Sequence, residues 1–228
     1  VVYTSKGMFS EAYEELQTLS KAQPDNVQIF IRMANIAFMM ENYGAMATAC
    51  EKAILLDSEN ATAHYLYAEA CKGQGDDVNT IAMATKAISI DNKQGNAYLL
   101  RGETYLRTQQ LSEAEADADW LLEHTEDNED VLLLKARIER AANRNDEAIE
   151  YFTKAIDANP FSYTAFKERS EMYSLVGNEA KAKEDAERAE ELMPTDGKEN
   201  AEENIEKQLN DKYKQMNPRS EERRVGKE

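Results

Sequence analysis

The sequence is short of the residues that most chemistry needs. Its 228 residues hold two cysteines, two histidines and one tryptophan. Cys50 and Cys71 form no Cys-x-x-Cys pair, so neither a zinc site nor a disulfide framework is indicated. No His-x-x-x-His pair, no Ser–His–acid set and no glycine-rich phosphate loop occurs, which leaves enzymatic function without a visible site. His64 reads as a core ring, and His124 as a cation near a helix carboxyl end. No apolar run reaches the length of a membrane span. Positive charge is scarce: 27 Lys and Arg face 44 Asp and Glu, a formal charge of −17. Such a chain should repel nucleic acid phosphates and anionic membrane surfaces. The acidity either keeps an outer face solvated or attracts basic partners. The expectations are no metal, no cofactor, no catalysis and a reducing, cytoplasmic setting. Val1 is expected to begin partway through a first helix, with an amino-terminal region missing.

What the sequence has in quantity is repetition. In 146–160, small and apolar residues at Ala148, Phe152, Ala155 and Ile156 give the three-and-four spacing of a buried helical stripe. Pro160 stops that helix because proline cannot continue the hydrogen-bond ladder. The same slots recur every 34 residues. One column reads Leu19, Ala53, Ala87, Leu121, Ala155 and Ala189, and another Leu16, Cys50, Ala84, Ala118, Phe152 and Ala186. A third reads Ala12, Met46, Thr80, Ala114, Ala148 and Ala182. A preceding helix carries Phe30, His64, Tyr98, Leu132 and Phe166, then the small slot Ala34, Ala68, Gly102, Ala136 and Ser170. Its third column is Tyr3, Ala37, Cys71, Tyr105, Glu139 and Tyr173.

A 34-residue period with two helices per unit resembles the tetratricopeptide repeat family over about residues 1–196. Cys71, Thr80 and Glu139 depart from the large, small and aromatic residues the family prefers there. The resemblance implies an all-α, right-handed superhelix, an α-solenoid of about six repeats with a carboxyl-terminal capping helix. A shortened first repeat covers 1–26, with a turn at Gly7, and full repeats follow at 27–60, 61–94, 95–128, 129–162 and 163–196. Inner turns are expected at Gly73–Asp76, near Asn143 and Asn145, and at Gly177. The cap is placed at 197–217, where Ala201, Ile205, Leu209, Tyr213 and Met216 make a narrow stripe. Residues 218–228 lack any apolar period and read as a disordered tail, either a non-native extension or a native basic one.

One first-helix column switches from apolar to cationic: Met33, Tyr67, Arg101, Lys135 and Arg169. Asp117 and Asp185 stand sixteen residues after Arg101 and Arg169. Partly buried arginine needs such a partner to offset lost hydration, so Arg101–Asp117 and Arg169–Asp185 are expected ion pairs. Lys135 has Tyr151 in that slot and is expected to find Asp117 or Glu139.

The resemblance also places the first helices along a concave groove. Its slots are Ile31, Asn35 and Phe38 in the second repeat, then Tyr65, Glu69 and Lys72. Leu99, Glu103 and Leu106 follow, then Leu133, Arg137 and Arg140, and last Lys167, Glu171 and Ser174. The expected function is non-catalytic protein–protein interaction, as a scaffold or adaptor binding a peptide or partner protein. Apolar anchors would sit near Ile31, Phe38, Tyr65, Leu99 and Leu106, beside the polar Asn35, and an acidic group near Arg137, Arg140 and Lys167. In the competing arrangement these apolar residues pack between repeats and the cations pair with Glu103 and Glu171. A further alternative is a docking or regulatory part of a larger enzyme or envelope assembly machine. Some members clamp the acidic carboxyl terminus of heat-shock chaperones. Asn35 fits one clamp slot, but Ile31, Leu66, Asn96 and Leu100 replace the polar and cationic residues of the others. No such clamp is expected.

Overall fold

The computed structural model describes residues 2–125 and 128–193. Eleven α-helices and no strand occur among the described residues. They are α1 (Val2–Ala22), α2 (Val27–Met39), α3 (Tyr43–Leu56), α4 (Ala61–Gly73), α5 (Asp77–Ile90), α6 (Gly95–Arg107), α7 (Leu111–His124), α8 (Glu129–Ala141), α9 (Asn145–Ala158), α10 (Tyr163–Leu175) and α11 (Glu179–Leu192). From α2 onward each even–odd pair restarts 34 residues after the last.

The helix ends repeat as strictly as the helices. Each within-repeat turn has one residue of positive φ: Glu41, Gly75, Gln109, Asn143 and Gly177. The next amide closes back onto the helix, as Asn42 N–H does on the Ala37 carbonyl and Asp76 N–H on that of Cys71. This left-handed closure satisfies carbonyls that the helix end would leave unpaired. Asn42, Asp76 and Asn178 then cap the second helices, and Asn26, Asn60, Asn128 and Ser162 cap the first ones. Such caps accept the free amides of a first turn and contribute about 1 kcal/mol each.

Each helix packs on its sequence neighbours, and successive first helices touch as well: α2 with α4, α4 with α6, α6 with α8. No pair of second helices packs closely among the described residues. The stack is therefore tighter along its first helices, which puts them on the inner curve of an α-solenoid. The small columns make this approach possible. Ala34, Ala68, Ala136, Ala53, Ala87 and Ala155 are fully buried. A Cβ at Gly102 would lie 3.0 Å from Leu134 Cδ2 and 3.2 Å from Asp117 Cβ, so only glycine fits there without a shift. Burying a ring such as Phe152 stabilises by roughly 1.5–3 kcal/mol, against about 1–2 kcal/mol of backbone entropy for every ordered residue. No repeat offsets that cost alone, and stacking supplies the rest.

The three departures from the family pattern are accommodated. Thr80 is fully buried, and its hydroxyl donates to the Asp76 carbonyl at 2.8 Å. Cys71 is a small buried apolar group. Glu139 is buried among cations, as described below. One expectation is corrected: α1 runs unbroken through Gly7. A six-residue helix ahead of a turn would have most of its amides and carbonyls unpaired, whereas a glycine inside a helix costs only about 1 kcal/mol. Leu19 also differs from its column, standing exposed where Ala53 and Ala87 are buried. The expected cap at 197–217, the tail, and the Tyr3 side chain lie outside the described residues.

Candidate interaction groove

Ion pairs join the two helices of a repeat. Arg101 donates from Nε and Nη2 to Asp117 at 2.9 and 2.7 Å, and Arg169 does the same to Asp185 at 2.7 and 2.8 Å. Both expected pairs form. Burial lowers and the carboxylate raises the pKa of each arginine, with a net rise. Asp117 is also pushed up, by a burial that its arginine only partly offsets. Asp117 is the more deeply buried partner, and a desolvated pair stabilises little beyond its own burial.

Each cation also reaches the preceding repeat. Arg101 Nη1 donates to Thr85 Oγ1 and Arg169 Nη1 to Thr153 Oγ1, both sixteen residues back. Lys135 finds its closest carboxylate at that backward slot, Asp119 at 2.6 Å, together with Glu139 at 3.2 Å and Glu115 at 3.3 Å. Asp117, one of the two expected acids, belongs to Arg101 instead. Arg144 closes the ring by pairing with Glu139 and with Glu115. A second unforeseen feature lies in the fourth repeat, between α6 and α7. Tyr98, Trp120 and His124 stack face to face, with centroids 3.8 and 4.5 Å apart.

Along the inner curve, the groove slots divide by burial. Ile31 is 8% exposed and Leu133 5%, both packed into core clusters. Ile31 is thus corrected from an open anchor to part of the groove floor, because α4 packs over that side of α2. Asn35 is exposed and borders a recess of about 440 Å³ with Leu16, Leu19 and Arg32. Phe38 is 44% exposed at the end of α2. Tyr65 is half-buried and donates to Glu69 at 2.8 Å. Burial first, then Glu69, pushes the Tyr65 hydroxyl well above its ordinary range. Leu99 and Leu106 are half-buried, and Leu106 with Leu134 floors a second recess of about 320 Å³.

The three expected groove cations do not form one open cluster. Arg137 donates from Nε and Nη2 to both oxygens of Glu168 at 2.6–3.0 Å. Arg140 lies between Glu168 at 3.3 Å and Glu171 at 3.5 Å. Lys167 is exposed, with its ammonium 5.8 Å from the Tyr163 ring centroid. Glu103 pairs with Lys72 at 2.7 Å rather than with an arginine. The expected pairing with Glu171 therefore forms for Arg140, while that with Glu103 does not. Sequence reasoning missed Glu168. Arg137–Glu168 and Lys72–Glu103 both span 31 residues, three fewer than the 34-residue repeat, a contact between neighbouring first helices that the fold defines.

A recess of about 560 Å³ between Phe166, Arg169 and Tyr173 of α10 and Lys181, Asp185 and Arg188 of α11 involves none of the groove slots. Among the described residues, no cluster of three His, Cys, Asp or Glu side chains is arranged to hold a metal. No described helix is long and apolar enough to cross a membrane.

Residues 99–163 match the tetratricopeptide repeat family. The matched stretch runs from α6 to the start of α10, and the helix pairs before and after it restart at the same 34-residue interval. The fold is that of tetratricopeptide-repeat proteins. The array is similar to a tetratricopeptide repeat protein from Parabacteroides merdae ATCC 43184, with a TM-score of 0.73 and 20% identity over 85% of this chain and 77% of that one. It is similar to PilW, a type IV pilus biogenesis factor, with a TM-score of 0.72 and 18% identity over 80% and 85% of the two chains. It is also similar to YrrB, a tetratricopeptide protein with an unusual peptide-binding site, with a TM-score of 0.63 and 20% identity over 81% and 95%. At these identities the likeness is one of fold. No curated protein matches the array in sequence.

Proposed function

We propose that this array is a non-catalytic interaction scaffold or adaptor that holds a peptide or partner protein along its concave groove. The observation that carries the reading is the apolar surface left on the inner curve, from Phe38 through Tyr65 and Leu99 to Leu106, after the repeats have packed. Phe38 is exposed and the other three are half-buried, and apolar surface gathered on one side of a fold marks an interaction site. YrrB, of similar fold, is known by its peptide-binding site, which supports the same use of this groove. The partner is not nucleic acid, since the chain carries a charge of −17. The reading includes no heat-shock chaperone clamp, because Leu66 and Leu100 are buried apolar residues at slots that need polar ones. The test is affinity capture with the intact groove and with Phe38→Glu or Leu106→Glu. Specific partners should be lost from both variants while the helical signal is unchanged. Equal capture by all three proteins would refute the groove as the docking surface.

A further inference from the structure

We infer that the recess between α10 and α11 is a second interaction site, outside the groove, that takes an aromatic side chain of a partner protein, tryptophan by preference. The fourth repeat supplies the template. Its Tyr98, Arg101, Tyr105 and Asp117 recur two 34-residue periods later as Phe166, Arg169, Tyr173 and Asp185. The geometry recurs with them. Arg101 pairs with Asp117 and lies 5.5 and 5.8 Å from the centroids of the Tyr98 and Tyr105 rings. Arg169 pairs with Asp185 and lies 5.7 Å from those of both Phe166 and Tyr173. The hydroxyl that each arginine reaches in the preceding repeat is conserved in position too, Thr85 for Arg101 and Thr153 for Arg169.

One member of the set is not repeated. In the fourth repeat Trp120 covers Tyr98, with ring centroids 3.8 Å apart and planes 8° from parallel. The sixth repeat has Arg188 in that slot, and its guanidinium donates to Glu191 at 2.6 Å. Phe166 is left half-buried where Tyr98 is buried, and the recess of about 560 Å³ opens beside it, with Phe166, Tyr173 and Arg188 in its lining. Two repeats of one chain therefore present the same frame, once closed by an indole and once open. The open frame suits a ring from outside. Stacked rings gain more than their buried area alone. Arg169 is anchored by Asp185 and Thr153, so the frame is set before a ligand arrives and less entropy is lost on binding. Glu184 and Glu187 also line the recess. Their carboxylates accept hydrogen bonds, which favours an indole N–H over a plain phenyl ring. An aliphatic side chain gains neither the stacking nor that bond.

The test is saturation-transfer NMR on the whole chain with N-acetyltryptophanamide, set against N-acetylleucinamide at equal concentration. Transfer to the indole protons should exceed transfer to the leucine methyls by about threefold or more. Phe166→Ala removes the stacking face and should lower the indole signal by about threefold or more. Arg188→Trp supplies the ring from the chain itself, so it should block the probe to the same extent and raise the melting temperature. Circular dichroism checks that both variants are folded, and Arg188→Trp, at a half-exposed position, decides the matter if Phe166→Ala unfolds. Equal transfer to the two probes would overturn the site as one for aromatic rings. Indole transfer that survives Arg188→Trp undiminished would place the ring elsewhere and overturn the inference.

Discussion

Lys135 Nζ lies 2.6 Å from Asp119, sixteen residues behind it, whereas Arg101 takes both bonds of Asp117, sixteen residues ahead. The two slots are geometrically alike, because a first helix sits between its own second helix and the preceding one. The repeats thus supply one near carboxylate for each buried cation from either side. In the second repeat Met33 and Ala49 fill the same positions with no charge. Asp117→Ala should therefore cost about 3–5 kcal/mol, since it leaves Arg101 buried without its acid. Arg101→Met with Asp117→Leu should recover most of that loss. Urea unfolding of the three variants measures both values, and a double variant no better than Asp117→Ala would contradict the account.

The Lys135 ring predicts non-additivity. Lys135 and Arg144 both hold the buried Glu139, so either cation can cover for the other. Lys135→Met and Arg144→Ala should each be mild, and together they should cost clearly more than their sum. A double-mutant cycle in urea reads the coupling, and simple additivity would show that Glu139 is held by something else.

Left-handed turns give a stabilising prediction. Glu41 and Gln109 adopt φ of 56° and 62°, at slots where Gly75 and Gly177 stand in other repeats. A side chain in that region costs roughly 1–2 kcal/mol, part of which glycine returns as chain entropy. Gln109→Gly and Glu41→Gly should each raise stability by about 0.5–1 kcal/mol. Asn143→Gly should gain less, because asparagine tolerates this conformation. Thermal melts should rank the three accordingly.

Stability should fall on the alkaline side. Burial pushes the Cys50 thiol up to about 12 from an ordinary 9.0, helped by Cys71 and Glu51. Burial and the bond to Glu51 push the Tyr67 hydroxyl up to about 12 from 10.0. Lys135 is raised above 10.5, since its carboxylates outweigh its burial. In all three the folded chain holds its proton longer than the unfolded chain. Their contribution is complete below the unfolded values and is lost as pH rises from about 9 through 12. The melting temperature should hold from pH 7 to 9 and then drop. Cys50→Ala with Tyr67→Phe should flatten that drop, and an unchanged slope would remove these groups as its cause.

Much of this was legible from side-chain size and spacing alone. Ala34, Ala68 and Ala136 announced a close helix approach, and Arg101 with Asp117 announced a charge pair, because both signals sit on one period. Gly7 misled because a single glycine marks a turn only when tertiary packing needs one. Ile31 misled because its slot serves both groove and stack, and the packing of α2 against α4 decides between them. Asp119, Glu168 and the Tyr98–Trp120–His124 stack were hidden for another reason. Asp119 lies sixteen residues behind Lys135, Glu168 31 ahead of Arg137 and Trp120 22 ahead of Tyr98, contacts between helices that only a folded array defines.

The most direct measurement of the groove's role compares inner and outer surfaces on one ligand. A peptide selected on the whole chain is titrated against the parent, Leu106→Glu on the inner curve and Leu55→Glu in α3, a second helix where Leu55 is 77% exposed. Binding should fall at least tenfold with Leu106→Glu and stay unchanged with Leu55→Glu. Loss with Leu55→Glu and full retention with Leu106→Glu would place the docking surface on the outside and contradict the account.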